Sequence, residues 1–244
     1  MRAVRFGWVL LGLAGCAPTE ALTPYTPQGA VVVAEPARAA GAPLSAQAAA
    51  QNFRTVVARV EPVAEAYCRN ANTVADCDFR ILVDERADQE ANAYQGVDAA
   101  GHPTITFTLA LIADARNQDE LAFVMGHEAA HHIAGHIPLK QQSALAGAVL
   151  GGLLATAAGM DAATVQQISD LGAGVGAASY SKDYELQADA IGTEIAWRAG
   201  YDPMRGMAFF DRIPDPGDEF LGSHPANAQR KQVVAEVMAG LTGR

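Results

Sequence analysis

The sequence has few basic residues, only three cysteines and no internal repeat. Lysine and arginine together number 17 against 27 acidic residues, which gives a formal net charge of −10 at pH 7. Because no basic stripe is present, nucleic acid is not expected as a partner. The acidity also argues against electrostatic attraction to anionic lipid surfaces. Half of the 244 residues are hydrophobic, so a globular chain with a sizeable core is predicted.

The N-terminus lacks an apolar run long enough to cross a bilayer permanently. Residues 6–14 are apolar and follow two arginines, whereas a membrane-spanning helix needs about 20 residues. The pattern predicts a signal peptide over residues 1–15. Leu13-Ala14-Gly15-Cys16 resembles the bacterial lipobox, in which the cysteine is lipidated; a plain secretory signal is the alternative. Ala17 is not the aspartate that marks inner-membrane retention, so the resemblance implies an outer-membrane anchor on the periplasmic face of the cell envelope.

The three cysteines divide between this anchor and a possible disulfide bond. With lipid on Cys16, Cys68 and Cys77 remain as an even pair in an oxidising compartment. A bond between them would close a loop of about ten residues and stabilise the fold by roughly 2–3 kcal/mol in the chain-entropy model. Two buried, unpaired thiols are the alternative.

Residues 16–45 contain five prolines and little hydrophobic periodicity. This composition predicts a lipid-anchored, flexible tether ahead of one domain over residues 46–244. A helical pattern begins at about Ala46 and is expected to break or kink at Pro62.

Two runs of alternating residues, 79–83 and 104–108, predict β-strands, and most of the remaining pattern is helical. The predicted fold class is therefore mainly α with a small β-sheet. Residues 141–160 contain no charged residue, which raises the question of a membrane span. Because four glycines and many alanines interrupt this run, a helical hairpin packed on the core is preferred to a span or a membrane-dipping surface.

Two histidines four residues apart carry the predicted chemistry. His127 and His131 lie on one face of a helix, one turn apart, with Glu128 directly after the first. This spacing allows two imidazole nitrogens to bind a single Zn²⁺ at about 2.0–2.1 Å. Glu128 points about 100° away from His127, which suits a general base acting on the attacking water. The pattern H-E-x-x-H is that of metalloproteases.

A catalytic zinc site needs a third protein ligand. His132 points about 100° from His131, so a supporting or surface position suits it better. The metzincin pattern would place the third ligand at position 137, which is isoleucine. Downstream, Glu185 and Asp189 share one face of a predicted helix, which allows one carboxylate to bind the metal and the other to orient a ligating histidine. A solvated acidic face is the alternative.

Three motifs in this order resemble family forty-eight of the zinc metallopeptidases. They are His127-Glu128-x-x-His131 with His136, then Tyr180-Ser181-Lys182-x-x-Glu185-x-Gln187-Ala188-Asp189, then Ser223-His224-Pro225 with Arg230. The family includes HtpX-like and Oma-type proteases and a branch of periplasmic lipoproteins. Asn92-Ala93-Tyr94 also resembles the element that precedes the family's edge strand. The resemblance covers the chain from about residue 46 to its end.

The resemblance implies a zincin-like (gluzincin) domain in which His127, His131 and Glu185 bind one Zn²⁺ and Glu128 is the general base. It further implies two supporting residues, which are Asp189 as the partner of a ligating histidine and His224 as a group that stabilises the oxyanion. Lys182 and Gln187 depart from the arginine and glutamate that the family usually has, but neither position is a ligand. An extended substrate is expected to pair with the strand at Thr104–Thr108.

The predicted function is that of a zinc-dependent endopeptidase acting on cell-envelope proteins in protein quality control. Misfolded polypeptides are the expected substrates, and the lipid on Cys16 is the expected link to the membrane. One alternative is a lipid-anchored periplasmic chaperone or scaffold with a structural or silenced zinc site. The other is a membrane-embedded protease that uses residues 141–160 as a span.

Overall fold

Helices dominate the chain, as the sequence predicts. The computed structural model describes residues 44–71, 76–179, 181–213 and 225–243. The α-helices of these segments are Ala46–Ala71 (α1), Leu109–Asp114 (α2), Gln118–Ile133 (α3), His136–Ala157 (α4), Ala162–Ser179 (α5), Ser181–Arg198 (α6), Pro203–Gly206 (α7) and Asn227–Thr242 (α8). A 3₁₀ helix follows α7 at Met207–Asp211.

The strands form one mixed sheet. They are Arg80–Asp84 (β1), Ala93–Val97 (β2) and Pro103–Thr108 (β3). β3 lies in the middle, parallel to β1 with Ile105 opposite Ile81, and antiparallel to β2 with Thr106 opposite Tyr94. The expectation that Thr104–Thr108 pairs with substrate is therefore wrong, because both sides of this strand are already paired. The edge strand of the described sheet on that side is β2.

α1 continues through Pro62 as a single helix, where the sequence predicted a break or kink. A proline inside a helix removes a backbone donor and crowds the preceding turn, which costs about 3 kcal/mol or more. The buried face of α1 continues on both sides of the proline, since Val60 and Ala64 are fully buried and Tyr67 nearly so. This burial offsets the cost. At the end of α1, Cys68 forms a disulfide bond with Cys77, just ahead of β1.

The main core lies where α3 meets α1, α6 and the sheet. It includes Phe53 of α1 and Phe107 of β3, whose rings meet edge to face with centroids 5.0 Å apart. α3 and α6 approach at Gly126 and Gly192, where a Cβ on Gly192 would lie 2.7 Å from the backbone nitrogen of His127. Any larger residue at either glycine would push the helices apart. This close approach sets the carboxylates of α6 beside the histidines of α3.

α4 and α5 form the hairpin that the sequence predicts, but it is not packed on the core along most of its length. After His136, the only residue of α4 that is buried is Ala155, and α5 has no buried residue among those described. The two helices pack against each other instead. In the described part of the chain, no helix combines the length and the apolar character needed to cross a membrane.

Candidate metal centre

α3 begins two turns before its histidines because its first residues stabilise a helix start. The side chain of Asn117 accepts a hydrogen bond from the backbone N–H of Glu120 at 3.0 Å. Asp119 and Glu120 lie in the first turn, where negative charge is favourable. His127 and His131 therefore project from a fully formed helix, which holds their spacing.

The structure brings His127, His131 and Glu185 together. The Nε2 atoms of the two histidines lie 3.0 Å apart, and the carboxylate of Glu185 places one oxygen 3.4 Å from each of them. One ligand atom from each of the three residues lies within 4.8 Å of the others. Two imidazoles and a carboxylate are a donor set of hydrolytic zinc sites and leave a coordination position open. The residues present therefore fit a catalytic metal ion.

Asp189 and Arg230 hold the first histidine. Asp189 is fully buried and accepts a hydrogen bond from His127 Nδ1 at 2.9 Å, which directs the Nε2 atom of His127 toward Glu185. Arg230 of α8 donates to both oxygens of Asp189 at 2.7 Å, and its guanidinium lies over the ring of Phe210. Such a bidentate pair restricts the carboxylate to one orientation. Arg230 was part of the motif that we noted in the sequence, but its contact with Asp189 becomes evident only in the fold.

His136 and Gln187 hold the second histidine. The Nδ1 atoms of His131 and His136 lie 2.8 Å apart, and His136 Nε2 lies 2.9 Å from Gln187 Oε1. An amide oxygen only accepts, so His136 carries its proton on Nε2 and accepts at Nδ1 from His131. That arrangement leaves His131 Nε2 without a proton and available to a metal. The ring of His136 also stacks on Tyr184 with centroids 4.6 Å apart, which limits its rotation.

We expect His136→Ala to lower zinc affinity about 10–100-fold, because partners that orient a metal ligand contribute this much. His136→Asn should restore part of the loss, since its side-chain oxygen can accept from His131 at a similar position. Competition with a chromophoric chelator measures both affinities, and the melting temperature tests whether the fold is kept. Unchanged affinity in a folded His136→Ala protein would show that this contact does not support the metal.

The two carboxylates beside His127 favour a proton on its ring. Burial lowers the pKa of His127, but its hydrogen bonds with Asp189 and Glu185 outweigh burial and raise the pKa to about 10. Burial and the positive charge of His127 lower the pKa of His131 to about 3. A proton on His127 Nε2 can thus be donated to His131 Nε2. Because metal ligands must be deprotonated, metal binding has to release this proton.

Glu128 lies in the same cavity as the histidines but does not join the donor set. The cavity has a volume of about 580 Å³ and is lined by Glu128 together with residues of β2, α3, α4, α6 and the 3₁₀ helix. Burial raises the pKa of Glu128 to about 7, and a hydrogen bond from the backbone N–H of Gln95 opposes this rise. A carboxylate with a pKa near the working pH suits general acid–base chemistry. Gln95 of β2, which sequence reasoning missed, also fixes the position of this carboxylate.

The remaining predicted residues lie apart from the centre or outside the described residues. His132 Nε2 donates to the backbone oxygen of Asp76 at 2.8 Å, and its ring packs on Phe79, so it joins α3 to the start of the sheet. Cys16 and His224 fall outside the described residues. Their predicted roles therefore stay predictions.

Comparison with known proteins gives one family. The model of peptidase family M48 matches residues 45–237. Similar curated proteins are the beta-barrel assembly-enhancing protease of Yersinia pestis, 32% identical over 129 residues (48% of this chain and 26% of that protein), and the mitochondrial metalloendopeptidase OMA1 of Arabidopsis thaliana, 27% identical over 156 residues (57% and 31%). Metalloprotease YcaL of Escherichia coli is 26% identical over 133 residues (52% of each).

The matched stretch spans between about a quarter and a half of the length of these relatives. The family match itself covers most of the chain and includes both helices of the metal centre. The resemblance inferred from the three motifs is confirmed, and the chain belongs to peptidase family M48.

Proposed function

We propose that the protein is a zinc-dependent endopeptidase that hydrolyses peptide bonds in proteins of the bacterial cell envelope. The observation that carries this proposal is the convergence of His127, His131 and Glu185 beside Glu128 in one cavity. This donor set is typical of zinc hydrolases, and the carboxylate that follows the first histidine is typical of their general base. The names of the relatives, which include a metalloendopeptidase and two further proteases, agree with peptide-bond hydrolysis.

In the proposed mechanism, residues of the chain position the reactants and move the protons. When bound, zinc polarises the scissile carbonyl and lowers the pKa of the attacking water toward about 7. Glu128 accepts a proton from that water and then delivers it to the leaving amine. Asp189 and His136 keep Nε2 of each histidine directed into the cavity. His224 is proposed to stabilise the oxyanion.

β2 offers a way to bind an extended polypeptide. Ala93, Tyr94 and Gln95 line the cavity along this edge strand. An added strand hydrogen-bonds through its main chain, so it binds polypeptides of many sequences without requiring a free terminus. Gln95 also contacts Glu128, which places the edge beside the general base. This arrangement supports an endopeptidase with unfolded or misfolded proteins as substrates.

The proposed location is the periplasmic side of the outer membrane. In this proposal residues 1–15 are a signal peptide, Cys16 carries lipid and residues 16–45 tether the domain to the bilayer. The disulfide bond between Cys68 and Cys77 is consistent with an oxidising compartment. The first relative is named for enhancing the assembly of beta-barrels, which supports a role in envelope protein quality control.

Removal of the metal tests the reaction type. We expect the purified protein to cleave casein, to lose this activity on treatment with 1,10-phenanthroline, and to regain it with added Zn²⁺, because the chain's residues alone cannot polarise the carbonyl. Cleavage that persists in protein shown to be metal-free would contradict the proposal. Absence of cleavage in the zinc-loaded protein, together with suppression of casein aggregation, would favour a chaperone instead.

A further inference from the structure

The α4–α5 hairpin exposes an unbroken apolar face on α4 but not on α5. The exposed face of α4 is formed by large apolar side chains, each between 53% and 66% exposed: Leu145, Val149, Leu150, Leu153 and Leu154. Their spacing places them along one side of the helix for more than two turns. The exposed positions of α5 carry Gln166, Gln167 and Asp170 together with the apolar Leu171 and Val175. The outer face of α4 is therefore apolar, whereas the outer face of α5 is mixed.

Glycines hold the two helices of the hairpin in backbone contact. A Cβ on Gly147 would lie 2.0 Å from the backbone oxygen of Gly172, and one on Gly176 would lie 2.1 Å from that of Ser143. The small residues of the hairpin therefore lie at the contact between the two helices, and the leucines of α4 lie on its outer side. Contiguous apolar surface of this kind marks an interaction site on a soluble domain.

We propose that the apolar face of α4 lies on the surface of a lipid bilayer, parallel to the membrane plane. An interfacial helix buries a contiguous apolar face at the boundary of the bilayer, and the five exposed side chains of α4 provide such a face. Residues 141–160 carry no charge that a bilayer would have to desolvate.

The chain ahead of the described domain supports a bilayer as the occupant. If Cys16 is lipidated, residues 17–43 join the bilayer to the start of the domain, and a tether of that length reaches roughly 30 Å. The domain would then stay close to the membrane, which raises the effective concentration of the bilayer at the α4 face. α4 also lines the catalytic cavity at Ile137 and Lys140, so a docked hairpin would hold the cavity close to the membrane surface.

Binding to vesicles by a protein without the lipid anchor tests whether the apolar face of α4 binds a bilayer. The chain from Ala17 onward, which retains every described residue, is mixed with vesicles of uncharged phosphatidylcholine and separated by flotation. We expect binding, and we expect the double variant Leu150→Glu with Leu154→Glu to weaken it roughly tenfold or more, because two apolar side chains no longer enter the interface. The matched control on α5, Gln166→Glu with Gln167→Glu, should bind like the original chain.

Three outcomes would overturn the proposal. One is the absence of flotation by the original chain, and another is equal loss of binding in both double variants. The third is a dimer in sedimentation that the α4 variant abolishes while vesicles are ignored, which would assign the face to a second copy. Zinc content and melting temperature should be unchanged in all variants, since the substituted positions are exposed. Because no step of the test involves peptide cleavage, its failure would leave the proposed protease function untouched.

Discussion

Replacing Glu128 with glutamine is expected to lower the rate of peptide hydrolysis about 10³-fold, within the range that positioned general acid–base groups contribute. Glutamine has almost the same shape as glutamate and can still accept the hydrogen bond from the Gln95 backbone, but it cannot take a proton from water at neutral pH. Glu128 lies outside the donor set of the metal centre, so the variant should bind as much zinc as the original protein. Casein cleavage and metal content measured on the same preparation separate the two effects.

Glu236→Gln provides the matched control, because this glutamate is exposed on α8 and lies outside the residues that line the cavity. Its variant should cleave at the original rate. Equal cleavage by Glu128→Gln and the original protein would contradict the role of Glu128. A Glu128→Gln protein that had also lost its zinc would show instead that this residue supports the metal.

Replacing Glu185 with alanine is expected to weaken zinc binding about 100-fold or more. Residues that only orient a ligand contribute about 10–100-fold, and removal of a ligand should cost at least as much. The carboxylate lies 3.4 Å from Nε2 of both histidines, so its loss leaves a site of two neutral imidazoles. Zinc competition with a chelator measures the affinity, and hydrolysis should fall in parallel because fewer molecules carry metal.

Asp183→Ala is the control for this variant, because Asp183 is an exposed carboxylate of the same helix, two residues before Glu185. It should keep the original affinity. If Glu185→Ala retained one full equivalent of tightly bound zinc, the third ligand would have to be another residue. Variants of both carboxylates with equal, small losses would point to a general effect of charge on α6.

Local patterns predicted much of the fold because they report which face of an element is buried. The strands at residues 79–83 and 104–108 were foreseen from their alternation, and the α4–α5 hairpin from its uncharged run rich in glycine and alanine. The central position of β3 in the sheet was not foreseen. Its threonines alternate with apolar residues, a pattern typical of a strand with one face exposed to solvent. Thr104 and Thr106 are nevertheless only 8% exposed, since the sheet is covered on both faces at this strand.

The grouping of His127, His131 and Glu185 was predictable from the sequence, but their supporting contacts were less so. Helical spacing placed the two histidines on one face, and the resemblance carried by the three motifs pointed to Glu185. The contact between His136 and Gln187 joins two helices through a residue pair 51 positions apart, and no local pattern reports such a contact. The helix at Pro62 was also mispredicted from local sequence. Proline disfavours a helix interior, but burial of the neighbouring turns of α1 outweighed this preference. Tertiary packing decided each of these features.

Anomalous diffraction at the zinc edge, measured on crystals of the zinc-loaded protein, locates the metal directly. We expect a single strong peak between His127, His131 and Glu185, about 2.0–2.1 Å from the Nε2 atom of each histidine and about 2.0–2.2 Å from the carboxylate. A peak bound by His136 instead of His131, or by no residue of α6, would show that these three residues are not the ligands.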